Sequence, residues 1–346
     1  MNSDKKLNIS DFLKLSSAIP VVDVRSPSEF STGHIPGAQN IPLFDDKERE
    51  AVGIMYKMEG RVKSIQKGLQ LIGPAMYLKL EEAHNLAKEN KLLVHCWRGG
   101  MRSEAMAWLF SLGDIETQVL DGGYKSYRHH VLEKLSEKRK YIILGGLTGS
   151  GKTEILNHMK CAGHQVIDLE GIACHKGSAF GSLGQPDQPT TEHFANLLFN
   201  ELGKTDKNKV VWLEDESKNI GTIFMPEQFY FNLRESPVVA LIMDVKTRMP
   251  RLIKEYSAYP KEELISSIER IAKRLGGDNT KEAIKEVEES NFSRAIEITL
   301  NYYDKTYLFG LKRRTENMIH YIQTDTDEIA VNISKILRAA KKILNY

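Results

Sequence analysis

Two stretches of this 346-residue chain place nucleophilic and phosphate-binding residues at spacings that chemistry demands. The first is His95-Cys96-Trp97-Arg98-Gly99-Gly100-Met101-Arg102-Ser103. An apolar run precedes it and a helical pattern follows it, so it reads as a loop between a strand and a helix. Backbone amides in such a loop, together with the helix N-terminus, make a concave anion site. Gly99 and Gly100 let the backbone curl so that the amides converge. A cysteine at the base of that ring has its thiolate stabilised. Arg98 and Arg102 supply forked donors for a tetrahedral oxyanion, and Ser103 is the expected N-cap of the helix. The competing reading is an inert cysteine ending a buried strand; two glycines and two arginines favour a reactive thiol.

The second stretch, Gly146-Leu147-Thr148-Gly149-Ser150-Gly151-Lys152-Thr153, fits G-x-x-x-x-G-K-[ST] at every position and follows an apolar strand. Gly146 and the amides of Gly149, Ser150, Gly151 and Lys152 cradle a diphosphate, Lys152 neutralises its terminal phosphate, and Thr153 can hold Mg²⁺. Such a loop says little about what the diphosphate is attached to. An acidic partner is expected at the end of a later strand, and residues 210–217 offer Glu214 or Asp215 for Mg²⁺ or its water shell. Asp168 and Glu170, read as ending another strand, can also face the phosphates. His175, Lys176, Ser178 and Phe180 lie in a Gly-rich basic segment that is either a second phosphate contact or a plain surface loop.

These residues need a scaffold of alternating elements. A short run rich in β-branched residues at 19–24 and short runs at 92–95 and 117–120 read as strands, with helices starting at Ser26 and over 74–90 and 103–112. A charged helical segment over 125–140 reads as a link. Further strands are expected at 141–144, 165–169, 210–213 and 238–245, and from Arg248 onward the pattern is almost wholly helical. Strand–helix alternation implies parallel α/β sheets. The expected division is residues 1–124, a link over 125–140, a P-loop domain over 141–247 and a helical region over 248–346 packed on it.

Composition bounds the answer. Length alone favours two domains. A formal net charge of +2 leaves nucleic acid open, because a binding face needs only local positive charge. Basic clusters at 270–274, 312–314 and 338–342 are either phosphate contacts or solvated helix faces. The polar N-terminal stretch lacks a signal-peptide core, and no apolar run approaches the ~20 residues of a membrane span, so a cytoplasmic protein is expected. Cys96, Cys161 and Cys174 have neither metal-ligand spacing nor the numbers for a disulfide framework.

The Cys96 loop, with Asp23-Val24-Arg25, Glu29 and Gly33-His34-Ile35-Pro36-Gly37-Ala38, resembles the rhodanese family, whose loop cysteine carries sulfur as a persulfide. The loop is one residue longer than in most sulfur carriers, and His-Cys-x₅-Arg is also the signature of cysteine phosphatases. A rhodanese-like loop followed by a P-loop is similar to the tRNA 2-selenouridine synthase family. The likeness runs through residues 48–53, Gly122-Gly123-Tyr124-Lys125, Asp168-Leu169-Glu170-Gly171, residues 175–181 and 213–217, and Tyr302-Tyr303-Asp304.

That resemblance implies an α/β fold, with an N-terminal rhodanese-like domain, a P-loop NTPase-like domain and a helical C-terminal region. It implies a tRNA substrate carrying wobble 2-thiouridine, S-geranylation by geranyl diphosphate, then selenium transfer from selenophosphate. Geranyl diphosphate would occupy the P-loop with Phe180 as a candidate apolar wall, and selenophosphate the Cys96 loop. Cys96 is left as perselenide carrier, acid or nucleophile. No tightly bound cofactor, membrane or DNA is expected; Mg²⁺ stays open, and an enzyme supplying selenophosphate is a candidate partner. The rivals are a P-loop kinase or NTPase with a rhodanese appendage, a cysteine phosphatase, and a non-catalytic tRNA- or chalcogen-binding module.

Overall fold

The computed structural model describes residues 6–344; the outermost residues of the expected first and last segments lie outside this range. The chain divides into two compact units. One runs to Lys134 and includes Ala195–Leu197; the other takes Leu135–Phe194 and the chain from Leu198 onward.

The first unit is built on β1 (Lys6–Leu7), β2 (Val21–Asp23), β3 (Gln39–Asn40), β4 (Lys91–His95) and β5 (Glu116–Leu120). They form one parallel sheet in the order β1-β5-β4-β2-β3. Val22, Leu92, Val94, Met106 and Phe110 share its core, the near-continuous apolar strands expected of a sheet covered on both faces. Asp23 and Arg25 are buried together with an N–O distance of 2.6 Å. Arg25 also donates to the Gly33 carbonyl and lies 3.8 Å from the Tyr124 ring centroid, so both buried charges are compensated. β4 is the central strand, and its carboxyl end is where parallel sheets present ligand-binding loops.

The helix expected from Ser103 instead spans Met101–Ser111 with Gly100 before it, so Ser103 is not its cap. The 74–90 pattern resolves into a 3₁₀ turn, Gly73–Ala75, and a helix, Met76–Leu86. The longest helix, Asp46–Ile72, was not anticipated and is broken at Gly60, whose φ is 81°. The expected link is helical over Gly123–Ser136.

The second unit holds β6 (Tyr141–Gly146), β7 (Gln165–Val166), β8 (Val211–Glu214), an antiparallel pair β9 (Asn219–Ile220) and β10 (Ile223–Phe224), β11 (Val238–Met243) and β12 (Ile319–Thr324). The main sheet is parallel, in the order β12-β11-β6-β8-β7. β6 is wholly buried in the middle, so the loop that follows it leaves the centre of the sheet. Both sheets are thus of the parallel α/β type that alternation implies.

Three sequence expectations change. The strand over 165–169 ends at Val166, because Asp168 caps the helix Leu169–Ala173 by accepting from the Gly171 amide at 2.7 Å. The strand over 238–245 ends at Met243, since Asp244 opens the next helix. The region after Arg248 is not wholly helical: β12 pairs with β11 at the sheet edge. The surrounding helices make a separate core of Leu264, Ile268, Leu275, Ala283 and Ile298.

Candidate active sites

Cys96 leaves β4 at the base of its loop and is only 3% exposed. Its Sγ lies 3.3 Å from the Ser103 hydroxyl, which can donate either to the thiolate or to the Gly100 carbonyl 2.9 Å away. Burial pushes the thiol pKa up. The Ser103 hydroxyl and the backbone groups of Arg98, Gly100 and Ser103 together outweigh it, and the thiol lies below its ordinary value. Cys96 therefore has apolar neighbours behind it and a ring of donors in front.

The ring is fixed by close backbone packing. Gly99 has φ +64°, and a Cβ there would lie 2.3 Å from the Leu120 carbonyl oxygen; one on Gly123, φ +59°, would lie 2.4 Å from that of Cys96. The amides of Tyr124 and Lys125 donate to the carbonyls of Cys96 and Trp97 at 2.8 and 2.9 Å. The Gly122-Gly123-Tyr124-Lys125 string is thus the buttress of the cysteine loop.

Arg102 is not a free donor to the loop: its guanidinium holds Glu29 at 2.6 and 3.3 Å. Burial raises the Glu29 carboxyl, but the Arg102 hydrogen bonds prevail and keep it below the usual carboxylate value. Arg98 is exposed at the loop surface.

The P-loop forms one side of a cleft of about 1870 Å³. Gly149 and Gly151 have φ of 80° and 78°, and Gly151 precedes the helix Lys152–Cys161. The Lys152 ammonium donates to the Gly146 and Leu147 carbonyls at 2.9 and 3.4 Å. Ser150 is buried with its hydroxyl unpartnered. Thr153 donates to Glu170 at 3.1 Å.

The carboxylates are arranged differently from expectation. Glu214 is 1% exposed; one oxygen accepts from the Leu169 amide at 3.2 Å and the other has no protein partner. Burial, reinforced by Asp168 and Glu170, pushes its pKa up to about 8. Asp215 is tied by Arg314 at 2.6 Å and by the Tyr307 hydroxyl at 3.2 Å. Besides Glu170, which accepts from Thr153, the acid that meets the P-loop residues is Glu216, given no role from sequence. It shares a hydrogen bond with Glu170; burial and the charges of Glu170 and Glu214 raise it, while Lys152 opposes them.

Residues 175–181 close on themselves, the Lys176 amide donating to the Gly181 carbonyl at 2.9 Å, and they line the cleft. His175 Nδ1 accepts from the Gly177 amide at 3.1 Å, and Lys176 is paired with Glu255. Ser178 accepts from the Phe180 amide at 3.2 Å, a turn contact. Phe180 belongs to the helical core, stacked on Tyr256 with ring centroids 5.1 Å apart, and also lines the cleft.

Sequence reasoning also missed the brace behind the P-loop. Arg248, 1% exposed, donates to the carbonyls of Thr148 at 2.7 Å and Met243 at 2.9 Å and grips Asp304 at 3.1 and 2.5 Å. Tyr307 accepts from the Gly146 amide at 2.7 Å. The only local hint was the unusual Tyr302-Tyr303-Asp304 string. Among the described residues, no helix is long and apolar enough to cross a membrane.

Comparison with known proteins matches residues 8–130 to a rhodanese-like domain and residues 139–338 to a tRNA 2-selenouridine synthase AAA domain. A tRNA 2-selenouridine synthase of Nitrosomonas europaea is 31% identical over 365 residues, covering 90% of this chain and 94% of that protein. One of Sulfurovum sp. is 34% identical, covering 87% and 91%. A crystal structure of the N-terminal domain of a protein described as ATP/GTP binding, from Clostridium difficile 630, is 36% identical. It covers 37% of this chain and 99% of its own, with a TM-score of 0.34.

Proposed function

The chain belongs to the tRNA 2-selenouridine synthase family, and from that premise we propose that it is a transferase. It exchanges the sulfur of wobble 2-thiouridine in cytoplasmic tRNA for selenium through an S-geranyl intermediate. In the first step the nucleoside sulfur forms a bond to C1 of geranyl diphosphate. The carbon–oxygen bond breaks, its electrons leave with the diphosphate, and the N3 proton is lost. In the second step selenium of selenophosphate bonds to C2, geranylthiolate leaves, and hydrolysis of the selenium–phosphorus bond releases phosphate.

The observation that carries this reading is the make-up of the P-loop cleft. A complete diphosphate cradle shares the cleft with Phe180, Tyr256 and Tyr303, while Asp215 is already neutralised by Arg314. The cradle suits a leaving diphosphate, whose growing charge Lys152 and the loop amides stabilise. The aromatic side chains suit a terpene tail. The tie to Arg314 weighs against Asp215 as the Mg²⁺-binding acid. Mg²⁺ accompanying the diphosphate would find Thr153 and Glu170 as hard oxygen donors.

Selenophosphate is assigned to the Cys96 loop, whose donors already favour a negatively charged sulfur. Family membership outweighs the phosphatase reading of the same loop.

The test is mass spectrometry of wobble nucleosides after incubating 2-thiouridine tRNA with geranyl diphosphate, with and without selenophosphate. Lys152→Ala should lower S-geranyl product about 10²- to 10³-fold, the usual loss for one preorganised oxyanion donor. Cys96→Ala should accumulate S-geranyl product and form no 2-selenouridine. ATP turnover with no S-geranyl product would establish the NTPase reading instead.

A further inference from the structure

The P-loop cleft is larger and more cationic than a prenyl diphosphate requires. Its volume of about 1870 Å³ exceeds the ~300–1,000 Å³ of ordinary small-molecule pockets. Among the described residues, four arginines lining it, Arg234, Arg270, Arg274 and Arg313, make no ion pair with a carboxylate. Arg270 reaches only the Ser182 hydroxyl at 3.4 Å, Arg234 the Gly310 carbonyl at 3.4 Å, and Arg313 lies 5.9 Å from the Phe309 ring centroid. By contrast, Lys176 and Arg251 in the same cleft are neutralised by Glu255 and Glu154. Burial and the neighbouring Arg314 and Arg313 work against the charge of Arg234 and outweigh the support it has from Tyr230 and Asp215, a crowding that a further anion would relieve.

A diphosphate is already served by the P-loop amides and Lys152. Unpaired guanidinium groups beyond it call for a second polyanion. Tyr230, Tyr302 and Tyr303 line the same cleft. Cations beside partly exposed rings are the chemistry that holds single-stranded nucleic acid, by phosphate contacts and base stacking. Of the three basic clusters in the sequence, those at 270–274 and 312–314 contribute to the cleft lining and the one at 338–342 does not.

We propose that the P-loop cleft is itself the RNA site. A single-stranded loop of the substrate RNA enters it, with backbone phosphates on Arg270 and Arg274 and on Arg234 and Arg313. The base to be modified then lies in the same chamber as the diphosphate. The inference rests on the proposed tRNA reaction, but its test does not use geranyl diphosphate.

The probe is a labelled stem-loop RNA with 2-thiouridine in its loop, titrated with the full chain at several salt concentrations. Arg270→Ala/Arg274→Ala should weaken binding at least tenfold. It should also reduce the slope of log affinity against log salt by about 1.4, two single-strand phosphate contacts at ~0.7 each. Arg234→Ala/Arg313→Ala should behave likewise, and Lys341→Ala/Lys342→Ala should match the parent chain. Calorimetry with inorganic diphosphate should give parental affinity for the Arg270/Arg274 pair, showing that the cleft is folded. Parental RNA affinity and salt slope in that pair would overturn the proposal, as would a loss confined to the Lys341/Lys342 variant. Failure of the geranylation experiment with these results intact would remove the geranyl chemistry and leave the RNA site standing.

Discussion

Cys96 and Glu214 are both buried acids beside backbone donors, and their surroundings drive them in opposite directions. Around Cys96 the donors win over burial, so the anion is favoured. Its alkylation by iodoacetamide should have a pH midpoint below that of a free thiol, and Ser103→Ala should move the midpoint upward. Around Glu214 burial wins and two neighbouring carboxylates add to it. Its folded pKa of about 8 exceeds the ordinary 4.5, so the folded state keeps a proton that the unfolded chain has already released. Stability of this unit should therefore fall as pH rises from 4.5 towards about 8. Glu214→Gln, which keeps an acceptor for the Leu169 amide, should reduce that slope in urea unfolding measured across the range, the remainder coming from Glu216, which is raised in the same direction. The cysteine loop and P-loop were legible in sequence because glycine spacing and a local strand–loop–helix setting define them. Arg314 and Arg248 were not, because their partners Asp215 and Thr148 are 99 and 100 positions away and leave no local pattern.

Elements were legible where one pattern dominated. The buried apolar strands β2, β4, β6 and β11 follow directly from their composition, whereas β12 has exposed positions along its length and sits among charged helices that mask its alternation. The helix Asp46–Ile72 buries only Ser64 and Gly68, so it has no apolar stripe to detect. Its start was nonetheless written in Asp45 and Glu48, which cap each other's amides at 2.7 and 2.9 Å. The turn before the helix Gly123–Ser136 gives a sharper test. Gly123→Ala adds a Cβ 2.4 Å from the Cys96 carbonyl at a φ of +59°, a strain of about 1–3 kcal/mol or more. The expected result is a lower melting temperature for the rhodanese-like unit and a marked loss of Cys96 alkylation rate. A parental rate would mean that the buttress does not shape the thiol ring.

Across the whole molecule, each unit has its own sheet and its own core. Calorimetry should therefore resolve two transitions rather than one. Geranyl diphosphate at 100 times its dissociation constant should stabilise one of them by about 2.7 kcal/mol and leave the other in place; equal shifts in both would contradict a ligand confined to the P-loop unit. The two-sheet plan was legible because both halves repeat the same alternation, while the P-loop brace was not. That brace has an inheritance of its own. The phosphate-gripping turn is held at Thr148 by Arg248, itself anchored on Asp304, and at Gly146 by Tyr307, so both ends depend on the helix Phe292–Lys312. A fragment cut ahead of that helix would carry every letter of the motif and lack its shape. In this chain the turn and the distant helix must travel together through any recombination that keeps the grip.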